Sequence, residues 1–218
     1  MKRVYSYLPF AILLFCTPLA RAQGSFDVAM GFGTARAKAN AFGIDTTNFG
    51  SCVVTPTSTT CEATPALGRL FMGFQGDAMV NKHLGFGAGL NFQPTKGNYG
   101  PLLYRQLFYD FDGLYTPVNN KKVQLRLEGG IGGGHSAFSY QQTACIGTAV
   151  CTTQSASVGS SNHLQVHVGA GVQIYVKDHF FVRPEFDFRE VPGFANHQFG
   201  TNQVYGFTVW AGYNFGEM

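Results

Sequence analysis

Apolar and polar positions alternate along most of the chain with a period of two, which is the pattern of strands whose two faces meet different surroundings. Leu84, Phe86, Ala88, Leu90 and Phe92 alternate with Gly85, Gly87, Gly89 and Asn91. Leu164, Val166, Val168, Ala170, Val172 and Ile174 alternate with Gln165, His167, Gly169, Gly171 and Gln173. The same period runs through 26–33, 69–77, 106–112, 123–131, 180–189 and 205–215, which makes eight segments. Their lengths are close to the ~9–11 residues that a tilted membrane strand needs. Short connections lie at Asn81-Lys82, Pro117 to Lys122 and Lys177-Asp178; long ones span 36–66, 93–101, 139–161 and 190–203. Short turns on one side and long loops on the other predict an all-β fold, an eight-stranded antiparallel up-and-down transmembrane β-barrel.

The charges decide which face meets lipid. One face carries Arg69, Asp77, Asp110, Asp112, Arg126, Glu128, Arg183, Glu185, Asp187 and Arg189; the other carries little besides Arg105, near a strand end. An Arg facing lipid near the midplane costs about 2–4 kcal/mol. Several such residues would cancel a domain's whole stability of about 5–15 kcal/mol. A soluble, lipocalin-like carrier with the charged face outward is the alternative, but its surface would want many more Lys and Glu along the strands. Glycine fills much of the polar face instead, which suits an interior shared with Phe71, Phe108, Tyr175, Phe181 and Trp210. The sidedness therefore predicts a membrane barrel whose interior charges pair with one another, because buried charge must be paired. Phe26, Phe32, Phe92, Tyr115, Phe180, Phe188, Tyr205 and Phe215 gather toward strand ends, as in interfacial girdles.

Composition agrees. Charged residues are 12% of 218 and aromatic residues 15%, with 28 Gly. That excludes a charge-rich disordered chain and a helical protein weakened by so much glycine. Met1-Lys2-Arg3, an apolar run over 8–20 and Ala20-Arg21-Ala22 form a secretory signal, expected to be cleaved before Gln23. Residues 1–22 are then the leader and 23–218 the barrel. Without Lys2, Arg3 and Arg21, 12 basic residues balance 12 acidic ones, so a nucleic-acid patch has no support. Cys16 leaves with the leader. The pairs Cys52/Cys61 and Cys145/Cys151 remain, in two of the long loops and in an oxidising compartment, and read as two local disulfides. Each is worth about 2–3 kcal/mol in the chain-entropy picture.

The chain resembles the small eight-stranded outer-membrane barrels of Gram-negative bacteria: the opacity-type adhesins and the membrane domain of outer membrane protein A. The likeness covers nearly all of 24–215 and rests on features general to that superfamily. It implies an integral outer-membrane protein, embedded in the lipid bilayer with its lipopolysaccharide. The last strand, with Tyr213 and Phe215, resembles the signal read by the barrel-assembly machinery, although Gly216-Glu217-Met218 follow it. No wall-binding domain is expected after the barrel.

Catalytic and cofactor signals are weak. Small barrels of this superfamily include lipid A-modifying enzymes, but no His-x-Ser-Asn motif of the deacylase type is present. His135 and Ser136 are adjacent and so point to opposite faces, and His163 and His167 are about 13 Å apart on one strand. The glycines of 129–134 lack a Lys-Ser/Thr ending and form no phosphate loop. The expectation is a barrel without enzymatic activity or cofactor, its interior plugged by salt bridges. Its role would be structural or in adhesin-like surface contacts with a partner, through loops such as 53–60. A narrow ion or small-solute channel, a lipid A-modifying enzyme and the soluble carrier are the alternatives.

Overall fold

A computed structural model describes residues 24–38, 52–55, 58–61, 67–99, 102–146, 150–197 and 199–216. The strands are β1 (Phe26–Ala37), β2 (Cys52–Thr55), β3 (Ser58–Cys61), β4 (Leu67–Met79), β5 (Leu84–Phe92), β6 (Gly97–Tyr99), β7 (Leu102–Asn119), β8 (Val123–Ile146), β9 (Val150–Lys177), β10 (Phe180–Glu190) and β11 (Gln203–Phe215). One short helix, α1 (Phe194–His197), lies between β10 and β11. Eight strands close a ring in the order β1, β4, β5, β7, β8, β9, β10, β11. Closure is antiparallel, from Phe26 opposite Phe215 to Arg36 opposite Tyr205. The predicted all-β, up-and-down barrel is therefore the fold of this chain. The expected leader, 1–22, lies outside the described residues.

The turns follow from local chemistry. Between β4 and β5, the Asn81 side-chain oxygen accepts from the backbone N–H groups of His83 and Leu84, both at 2.8 Å, closing a tight polar turn. Between β9 and β10, Asp178 takes φ 45°, a left-handed conformation that a short polar side chain tolerates. These turns share one end of the barrel with Ser25 and Phe215, and short turns are the periplasmic ones in outer-membrane barrels.

Burial is inverted relative to a soluble protein. Phe86, Phe111, Ile131, Leu164 and Phe180 are exposed, whereas Asp77, Arg183, Glu185 and Asp187 are buried. The alternation of one apolar and one polar face thus becomes a lipid-facing band and a packed lumen. Ring contacts mark the rims: Phe180–Tyr213 at 4.9 Å and Tyr213–Phe215 at 4.7 Å below, Phe188–Tyr205 at 5.3 Å above.

Two connections differ from expectation. The segment 139–161 is no loose loop: β8 and β9 run on as a paired hairpin to Ile146 opposite Val150. Above the bilayer both faces meet water, so the apolar alternation that announces a strand is missing there. The first long loop contains a small hairpin, β2–β3, in a sheet of its own.

The band predicts a depth-dependent penalty. Val168, half-way along the lipid-facing run of β9, replaced by Arg should lower the unfolding free energy in vesicles by about 2–4 kcal/mol. Ser157→Arg, higher on the same strand and exposed, should change it by less than about 0.5 kcal/mol. Urea unfolding of the vesicle-inserted protein measures both.

Candidate functional site

The lumen is built in tiers by residues two apart on each strand. Lowest, Asp27 of β1 accepts from Asn214 of β11 at 2.5 Å and from Gln173 of β9 at 3.3 Å. Above it, Arg126 of β8 reaches Asp77 of β4 at 2.7 Å and Asp27 at 3.5 Å. Arg183 of β10 pairs with Glu185 at 2.9 Å and Asp77 at 3.6 Å, and donates to the Gln75 side chain. Its guanidinium also lies 5.8 Å from the ring of Trp210, whose indole N–H donates to Glu185 at 2.7 Å. Gln75 in turn donates to Glu128 at 3.1 Å.

One tier higher, the imidazole of His167 stands between two carboxylates, Asp112 on Nδ1 and Asp187 on Nε2, each at 3.0 Å. Arg189 pairs with Asp110 at 3.4 Å and Asp187 at 3.7 Å and lies 5.4 Å from the Phe108 ring. Gln165 donates to Asp110. The space among Gln75, Asn91, Asp112, Glu128, His167 and Asp187 admits no water-sized sphere.

Glycines make this crossing of side chains possible. Gly130 on β8 sits between Asp112 and His167 in the ladder, and a Cβ there would lie 2.6 Å from the Asp112 carboxylate. On β9, a Cβ at Gly169 would meet Glu128 at 2.8 Å. At Gly130 the bare position lets Asp112 and His167 meet across the intervening strand, and at Gly169 it makes room for the Glu128 side chain. The glycine-rich stretch 129–134 is thus a spacer within a barrel strand.

Above the charges the lumen is sealed by an apolar cap. Phe71, Tyr104, Phe108, Phe138, Val191, Phe194 and Phe199 form one buried cluster. Val191, Phe194 and Phe199 supply its lid, pinned by Val191 N–H to Asn202 O at 2.8 Å and Gly200 N–H to Lys38 O at 2.9 Å. Below the charges, a cavity of about 360 Å³ opens to the periplasmic side, lined by residues that include Lys82, Lys121, Tyr175 and Asn214.

Nine of the ten predicted network residues converge in the lumen: Asp77, Asp110, Asp112, Arg126, Glu128, Arg183, Glu185, Asp187 and Arg189 are all buried. Arg69 is the correction. It has the inward register of β4 but stands at the upper rim, exposed and apart from the packed tiers. Sequence periodicity gives the face of a strand but not the height along the axis. Asp27, the amides of Gln75, Gln165 and Gln173, and His167 as the bridge between two carboxylates join the network without a sequence signal that marks them as members, although all sit on the inward parity. Ser136 is buried in the lumen beside Gln106 while His135 faces outward to Asn162, so that pair forms no dyad. Two triads, Asp110/Asp112/His167 and Glu128/His167/Asp187, have ligand atoms mutually within 4.8 Å. Their imidazole nitrogens are already engaged by carboxylates, and they read as part of the ion-pair plug. Among the backbone-described residues, Cys52 is directly opposite Cys61, and Cys145 is directly opposite Cys151. Tyr213 and Phe215 occupy the end of β11, with Phe215 exposed to the lipid side.

The sequence pattern described as outer membrane protein beta-barrel domain matches residues 8–215, and the chain belongs to that family, which places it in the outer membrane. No curated protein matches the chain. Among solved structures, it is similar to Ail, the attachment invasion locus protein of Yersinia pestis, at 15% identity and a TM-score of 0.50, over 88% of this chain and 99% of that one. It is also similar to the N-terminal β-barrel domain of Pseudomonas aeruginosa OprF, at 12% identity and a TM-score of 0.46, over 88% and 100% of the two chains. The outer membrane protein OprG of Pseudomonas aeruginosa shares 13% identity over 90% and 98%, with a TM-score of 0.46. At 15% identity the likeness to Ail shows the fold alone.

Among the described buried residues, Asp27, Asp77, Asp110, Asp112, Glu128, Glu185 and Asp187 outnumber Arg126, Arg183, Arg189 and His167. Loss of a cation should therefore cost more than loss of an acid. Arg126→Met should lower the unfolding free energy by about 3–5 kcal/mol, and Asp77→Asn by clearly less. Denaturant unfolding followed through Trp210, the one tryptophan of the chain, distinguishes them; an equal or reversed order would contradict the surplus of acid.

Proposed function

We propose that this protein is a non-conducting, non-catalytic outer-membrane barrel that serves as a rigid base for surface contacts made by its extracellular loops. The lumen supports this reading most directly. The space among Asp110, Asp112, Glu128, His167, Asp187 and Arg189 admits no water-sized sphere, and an aromatic lid covers these tiers. A solute path would require breaking several buried pairs at once. Loops on a rigid scaffold are the usual carriers of recognition, and the hairpins β2–β3 and β8–β9 give two of them strand structure.

The reading includes an N-terminal leader over 1–22, insertion by the barrel-assembly machinery through the strand end at Tyr213 and Phe215, and disulfides Cys52–Cys61 and Cys145–Cys151. Directly opposed residues in an antiparallel ladder have Cα atoms about 4.5–5.5 Å apart, inside the range a disulfide spans. Both bridges would then staple hairpins that project away from the membrane.

In planar bilayers the pure protein should give no sustained, regular conductance steps; such steps would overturn the plugged lumen. The mature protein should begin at Gln23 by mass and, denatured without reductant, should offer no thiol to a maleimide probe. Four reactive thiols would overturn both bridges. Deleting 53–60 should abolish binding to a surface partner while the heat-dependent gel mobility of a folded barrel persists, and loss of both would argue against a contact role for that loop.

A further inference from the structure

The periplasmic mouth of the barrel differs in chemistry from the lumen above it. The residues lining its cavity of about 360 Å³ include Lys82, Lys121, Asn119, Gln124, Tyr175 and Asn214, and none of the lining residues is acidic. Lys82 comes from the β4–β5 turn and Lys121 from the β7–β8 turn, so two ammonium groups share the cavity with amides and a phenol. The rim is laced together before any ligand arrives. Gln124 donates to Asn119 Oδ1 at 2.8 Å, and Asn119 Nδ2 donates to the Lys82 carbonyl at 2.8 Å. The backbone N–H of Tyr175 donates to the Lys122 carbonyl at 2.9 Å. Polar groups held in this way cost a ligand little ordering.

Asn214 adds an independent observation. It lines the cavity yet is only 3% exposed. Its Nδ2 donates to Asp27, and because an ionised carboxylate only accepts, that bond fixes which way the amide points. The Oδ1 of the same side chain is left without a hydrogen-bond partner. A buried acceptor without a donor is unfavourable, so the cavity wall asks for an N–H group while the two lysines ask for negative charge.

We propose that this mouth binds the free carboxyl terminus of a short peptide in the periplasm. A peptide end carries both features side by side, a carboxylate and the amide N–H of its last residue. Lys82 and Lys121 hold the carboxylate through charge-assisted hydrogen bonds, and Asn214 Oδ1 accepts from the N–H. The remaining donors and acceptors of the rim amides serve the next peptide group. A bare anion would satisfy the lysines and leave Asn214 unmet, whereas a neutral sugar would leave the lysines without a counter-charge. The volume sits at the low end of the ~300–1,000 Å³ of small-ligand sites, which suits a chain end and excludes a folded partner. The proposal rests on the outer-membrane placement of the barrel and on the short turns facing the periplasm, and is independent of the loops and of the plug.

Isothermal titration of the detergent-purified, full barrel with tri-L-alanine and with tri-D-alanine tests it. Saturable binding of at least one is expected, the L form marking free peptides as the source and the D form marking stem peptides of the cell wall. Amidating the carboxyl terminus of the bound peptide, or methylating its last peptide nitrogen, should weaken binding about tenfold or more, and so should K82Q/K121Q. K177Q removes a periplasmic ammonium that does not line the cavity and should bind like wild type. No saturable binding of either tripeptide, unchanged affinity for the amidated or the N-methylated peptide, or an equal loss in K177Q would each overturn the site. Inorganic phosphate binding as tightly as the tripeptide would overturn the peptide as its ligand. Heat-dependent gel mobility reports the folding of the variants, and the two altered peptides carry the test on the wild-type protein should K82Q/K121Q fail to fold.

Discussion

Hydrocarbon offers no partner to an ionised side chain, and that single constraint orders this molecule from the outside inward. The lipid-facing positions must be apolar along the whole height of the band, so every charge in the spanning segments has to turn inward. Once inside a narrow bore, charges are far from water and must satisfy each other. The tiers of Arg126, Arg183 and Arg189 with their carboxylates are the consequence. An interior of ordinary apolar residues would also have been dry. Yet strands apolar on both faces would lose the contrast that fixes their register, and a slip by one residue would cost little. Inward charges make such a slip expensive, because it would place Arg126 and Glu128 in lipid.

An eight-stranded ring is barely wide enough to hold side chains, and long ones from facing strands would collide if every inward position bore one. The chain resolves this by pairing large with absent. Gly130 and Gly169 sit beside Asp112 and Glu128, and Gly171 beside Arg183, where a Cβ would be 3.1 Å from the Arg183 Cγ. The same logic places Gly31 and Gly73 around Trp210. Glycine normally weakens a strand by leaving it without packing, but here the vacated space is filled by a neighbour's side chain.

The period of two carries the ring, the sidedness and nine members of the network in the sequence itself, because each is a consequence of parity alone. What parity cannot supply is position along the axis, and Arg69 fails on that count: right face, wrong height. Nor does it rank uncharged polar residues. Gln75 and Gln173 bridge ion pairs as fully as any charged residue, yet a glutamine on a polar face gives no signal of being a bridge. The outer halves of β8 and β9 were hidden for a third reason. A strand with water on both sides has no apolar face to announce it, and Ser, Thr and Gly make up seven of the twelve residues of 150–161. Likewise Val191, Phe194 and Phe199 lie in a loop with no period, so their burial as a lid follows only from the three-dimensional closure of the barrel.

The lid and the ion pairs depend on each other. Opposite charges interact more strongly as water is excluded, because the local dielectric falls. The cap of Phe108, Phe194 and Phe199 sits where the lumen would otherwise meet the extracellular medium. Arg189 lies against the underside of that cap, over the Phe108 ring, and pairs with Asp110 and Asp187 just beneath. The aromatic layer thus strengthens the pairs below by keeping them dry, and the topmost guanidinium gives the layer a fixed floor. The periplasmic end needs no such seal, since the lowest charged tier ends in amides, Gln173 and Asn214, which tolerate water. The asymmetry puts the closed, packed surface at the end that carries the long loops, and leaves the open ring of strand ends at the other.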